Sequence, residues 1–66
     1  MKLYKYDGAI YNGNVAYKKV VEYVHAISES QAIVFLERRL KFRYKEISFI
    51  KLKEKNLHEI PDNIKR

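Results

Sequence analysis

The chain has 66 residues, no cysteine and a formal charge of +6. At this length folding buries only about 60% of the unfolded surface, which disfavours a deep, water-excluding active-site cleft. No disulfide framework or thiolate metal site is available, and the unbroken apolar runs are too short for a membrane span or a signal-peptide core.

Six tyrosines and three phenylalanines contribute to a 47% hydrophobic content, too apolar for a disordered chain despite its charge. The expectation is one compact, cytosolic domain over residues 1–60, with 61–66 as a frayed tail.

From Leu3 to Tyr11 the residues Tyr4, Tyr6, Gly8 and Ile10 alternate along one face, the period of a β-strand. Asn12-Gly13-Asn14 follows. Asn-Gly between two β-type runs predicts a hairpin, because both residues tolerate the positive φ of a type I′ turn. The returning run Val15 to Ala26 is rich in β-branched and aromatic residues. Both of its faces are partly apolar, with Val20, Val24 and Ala26 on one and Tyr17, Val21 and Tyr23 on the other.

Ser28-Glu29-Ser30-Gln31 matches a capping box, with Ser28 as N-cap and Gln31 reaching back. A helix is predicted from Glu29 to Lys41 or slightly beyond. On its wheel Ala32, Phe35, Leu36 and Leu40 form the apolar stripe, with Ile33 at the edge. Arg39 falls inside that arc and is expected to lay its stem on the core with its head in water. Val34 points away, beside Arg38 and Lys41. Ile47 to Leu52 is predicted as a third strand. The fold class is therefore α+β in the order β-β-α-β, a three-stranded sheet with one helix on one face.

Residues 38–55 carry eight basic side chains against Glu46 and Glu54, so the whole excess of six lies there. Such a concentration attracts polyanions by Coulomb forces and counterion release. The expectation is one continuous cationic surface. Within it Arg38, Arg39, Lys41, Arg43, Tyr44 and Lys45, interleaved with Phe42, are the candidate nucleic-acid-binding residues, since a ring can stack on a base while cations hold phosphates. The plainer alternative is a solvated face, with Phe42 and Tyr44 anchoring the segment to the core.

One helix covers one side of such a sheet. Tyr17, Val21 and Tyr23, with His25, are then expected on the open side, as a base-stacking face or as a protein interface that includes a homodimer. A β-bulge could redirect some of them. A free edge strand able to extend a partner's sheet is a third candidate, with Lys51, Lys53 and Lys55 as guards against such pairing.

No chemistry-bearing constellation accompanies these surfaces. His25 and His58 are isolated, the three serines fit capping and strand roles, and no phosphate-cradling glycine loop exists. Glu22 reads as a cross-strand partner of Lys or Tyr. The expectation is a protein without enzymatic activity, metal or cofactor.

The order hairpin, Val24-x-Ala26-x-Ser28, acidic first helical turn, Ala32, basic helix exit and Ile50-x-Leu52-x-x-x-x-Leu57-x-Glu59-Ile60 resembles the small archaeal ribosomal protein LX family. The resemblance covers roughly residues 3–60 through unspecific motifs. It implies a strand-strand-helix-strand fold and RNA or a ribonucleoprotein as partner. The same element order is similar to the short inhibitor of host RNA polymerase from T7-type phages. That likeness implies a phage or mobile-element protein docking on a host protein machine.

Overall fold

A computed structural model describes residues 1–61. Strand β1 spans Lys2–Asn12 and pairs antiparallel with β2, Val15–Ala26. The loop between them is Gly13-Asn14, and only Gly13 has a positive φ, 65°. A single positive-φ glycine at the first central position is the type II′ pattern, so the expected type I′ turn is corrected by one residue. The Gly13 amide also donates to the Phe49 carbonyl at 3.0 Å, tying the tip to the later chain.

Helix α1 runs from Glu29 to Arg43. Its start follows the capping logic of the sequence. The Gln31 amide donates to Ser28 Oγ at 3.2 Å, and the Ile27 amide donates to Gln31 Oε1 at 2.9 Å. Ala32, Leu36 and Leu40 are buried against the sheet, with Ile33 and Phe35 partly buried beside them. The helix thus covers the face that carries Tyr4, Tyr6 and Ile10 of β1 and Val20, Val24 and Ala26 of β2. Ile47, Ile50, Leu52 and Leu57 close the same core.

The third row of the sheet departs from the expected strand over Ile47–Leu52. Only Ile50–Lys51 (β3) is a strand there, pairing with Asn12 and Tyr11. The chain then leaves the ladder through a single 3-10 turn, Glu54–Asn56, and returns as β4, Leu57–Ile60, opposite Tyr6 to Leu3. The order is therefore β-β-α-β-β, four strands in three rows, with β1 central and β2 on an outer edge.

Tyr6 repairs the interruption. Its ring is fully buried, and its hydroxyl donates to the Ala9 carbonyl at 2.7 Å and accepts from the Lys53 amide at 3.1 Å. Two backbone groups beside the gap are thereby satisfied, as buried polar groups require. Gly8 lies between these strand contacts, and the Asn56 side chain occupies the space a β-carbon would need.

Among the described residues no helix is long and apolar enough to cross a membrane. The tail expected to fray over 61–66 falls, beyond Pro61, outside the described residues.

Candidate nucleic-acid interface

All the cations of the helix exit are exposed, but two of them are paired with a carboxylate. Glu22 projects from the helix-facing side of β2, opposite Tyr6, with its side chain 10% exposed. Arg39 and Arg43, one helical turn apart, both reach it, at 3.2 Å and 2.6 Å. Arg39 also donates to the Tyr23 carbonyl at 2.7 Å. The Arg39 head, expected in water, is 42% exposed as a side chain and is also engaged by protein on one side. Two guanidiniums on one carboxylate leave one net positive charge, and the bond to Glu22 raises the Arg43 pKa further above its ordinary value.

Arg38, Lys41, Phe42 and Lys45 remain exposed on the outer side of the helix and just beyond it. Phe42 is 81% exposed and lines a shallow concavity of about 520 Å³ with Arg38 and Arg39. Tyr44 is the helix C-cap and packs partly into the core.

The bulge in β2 decides the fate of Tyr17. Ile10 pairs with Lys18 and Tyr11 with Ala16, so Tyr17 is the extra residue. Its ring meets Tyr44 edge to face at 6.1 Å between centroids, and its hydroxyl donates to Glu46 at 2.7 Å. Lys18 sits over the other aromatic of this pair, 5.7 Å from the Tyr44 centroid. The hydrogen bond from Tyr17 to Glu46 raises the Tyr17 phenol above its ordinary pKa and lowers that of the Glu46 carboxyl. Tyr17 therefore clamps the helix exit onto the hairpin, apart from Val21 and Tyr23.

Val21 and Tyr23 do lie on the open side of the sheet, each about half exposed. The strand registers show their neighbours. Tyr23 is opposite Lys5, which faces His58 on its other side; Val21 is opposite Asp7; Lys19 is opposite Ala9; Tyr11 is opposite Lys51. The Lys5 ammonium lies 5.9 Å from the Tyr23 ring centroid, and that of Lys53 lies 4.9 Å from the Tyr11 centroid. Four lysines and two tyrosines thus share one unroofed face, with Asp7 as the acid among these strand positions.

The eight cations of residues 38–55 consequently do not form one surface. Arg39 and Arg43 are held by Glu22, Arg38, Lys41 and Lys45 lie on the helix side, Lys51 and Lys53 join Lys5 and Lys19 on the opposite face, and Lys55 stands exposed on the 3-10 turn. Sequence reasoning had noticed the open face but not its lysines. The signal was present in the alternation of Lys5, Asp7, Ala9 and Tyr11 with the buried residues of β1.

Both outer rows of the sheet are free edges among the described residues. Lys51 lies on one of them, in β3, and on the other Arg39 occupies the Tyr23 carbonyl of β2. Among the described residues no group of three histidines or carboxylates is placed to hold a metal ion. No family model, curated protein or solved structure matches the chain.

Proposed function

We propose that the chain is a non-enzymatic RNA-binding module of the cytosol that lays a single strand across the open face of its sheet. The observation that carries this reading is the pairing of each open-face tyrosine with a lysine, Lys5 on Tyr23 and Lys53 on Tyr11. In the free protein each ammonium rests on a ring, a contact worth about 0.5–1 kcal/mol at an exposed site. A bound strand satisfies both halves at once. The phosphate takes the ammonium, and the released ring takes a base, at about 1–3 kcal/mol per stacked base. Lys19 and Lys51 extend the cationic track, and Arg38, Lys41 and Lys45 add long-range attraction from the other side.

Fluorescence anisotropy with a labelled single-stranded RNA of about eight nucleotides tests the proposal. Affinity falls steeply between about 50 and 200 mM salt. Tyr23→Ala weakens binding about tenfold, while Arg38→Ala causes a smaller loss. Absence of binding at low salt, or a larger loss from Arg38→Ala than from Tyr23→Ala, overturns the placement on the sheet.

A second reading, a module that docks on a protein, is favoured by one observation: Phe42 stands almost free on the helix, 81% exposed. Co-purification with a single nuclease-resistant protein, lost in Phe42→Ala, would support it over the first.

A further inference from the structure

Asp7 is the feature of the open face that phosphate attraction does not explain. A carboxylate in the middle of a cationic track repels a polyanion, yet Asp7 stands exposed opposite Val21. Among the described residues it has no cation within salt-bridge distance, although Lys5 is two positions away on β1. With Lys19, Val20 and Val21 it lines a shallow concavity of about 310 Å³, at the lower end of the ~300–1,000 Å³ usual for ligand clefts. Tyr23 lies two residues from Val21 on the same strand face, about 7 Å away by strand rise.

We infer that Asp7 gives this face a preference for guanine in a single strand. The inference rests on the RNA-binding reading above and adds a base to it. An ionised carboxylate only accepts hydrogen bonds. Guanine offers it two adjacent donors, N1–H and the N2 amino group, which match its two oxygens. Adenine and cytosine place a ring acceptor nitrogen beside their amino group, and uracil flanks its N3–H with two carbonyls, so each sets a lone pair against the carboxylate. Val21 supplies apolar contact for the base, Lys19 a cation for its phosphate, and Tyr23 a stacking surface for the next nucleotide. The Watson–Crick edge has to be free, which confines the preference to unpaired strands.

The test compares uridine oligonucleotides of about eight residues carrying one central guanosine, inosine, adenosine or uridine, against the full chain and Asp7→Asn. The guanosine strand binds about tenfold more tightly than the uridine strand, by analogy with a bidentate base contact. Inosine, which lacks the N2 amino group, loses most of that advantage. Asp7→Asn removes the preference while retaining or slightly improving affinity for the uridine strand. Equal binding of guanosine and uridine strands, or a guanosine preference that survives Asp7→Asn, overturns the inference and leaves the RNA-binding reading intact. Failure of every strand to bind at low salt defeats both.

Discussion

Gly8→Ala probes the packing that makes the broken third row possible. An ideal β-carbon at position 8 falls 2.7 Å from Asn56 Cγ and 2.9 Å from Asn56 Cβ, against 3.4 Å or more for ordinary contact. Rotating the Asn56 side chain relieves the first conflict but not the second, because its Cβ is fixed to the backbone of the 3-10 turn. The turn must therefore move by about half an ångström, and with it the Lys53 amide that bonds Tyr6. Overpacking of this kind costs about 1–3 kcal/mol. Replacing a strand glycine by alanine returns about 0.5–1 kcal/mol of backbone entropy. A net loss of about 1–2 kcal/mol remains, which lowers the melting temperature of so small a domain by roughly 5–15 °C. Urea unfolding followed by far-UV circular dichroism measures it. Asn56→Gly removes all the conflicting atoms, so Gly8→Ala in that background becomes neutral or stabilising. The double-mutant cycle then shows a coupling equal to the overpacking cost, about 1–3 kcal/mol. Equal cost of Gly8→Ala in both backgrounds refutes the argument.

Two further measurements address the helix exit. Glu22→Gln leaves two guanidiniums without their anion and lowers the melting temperature by about 5–10 °C. The added positive charge raises RNA affinity only slightly, and a gain of about tenfold would move the binding site to Arg39 and Arg43. The Tyr17–Glu46 bond predicts a pH window. The Glu46 carboxyl titrates below its ordinary 4.5, so its stabilisation is present above that pH and is lost as pH falls through the lowered value. The Tyr17 phenol titrates above 10.0, so its stabilisation is present below that pH and is lost as pH rises through the raised value. In Tyr17→Phe the Glu46 carboxyl resonance titrates at a higher pH than in the parent, and an unchanged titration contradicts the bond.

Local signals made most of the frame legible. The hairpin needs only Asn12 to Asn14 and two β-type runs, and the helix start needs only Ser28 and Gln31, because these bonds are made within a few residues. The third row was misread because its determinants are distant. Ile47 and Ile50, both buried, are three apart, a spacing that two-residue alternation cannot satisfy. Leu57 to Ile60 is too short a run to announce a strand, and its partner lies some fifty residues earlier in β1. Gly8, read as one more strand residue, turned out to be the place where Asn56 crosses.

The charge map failed for a related reason. Counting cations along residues 38–55 treats neighbours in sequence as neighbours in space, whereas a helix and a strand in succession lie on different sides of the sheet. Glu22 is the residue that sorts them. Placed on the covered side of β2, it draws Arg39 and Arg43 inward by charge-assisted bonds, since a nearly buried carboxylate without partners costs far more than an exposed arginine does. Lys5 and Lys19 lie outside the basic stretch, yet strand alternation puts them beside Lys51 and Lys53 because β1 is central to all three rows. A face assembled from four strands has no signature in any single segment. Its sign can be read only once each strand residue has been assigned to one side of the pleat.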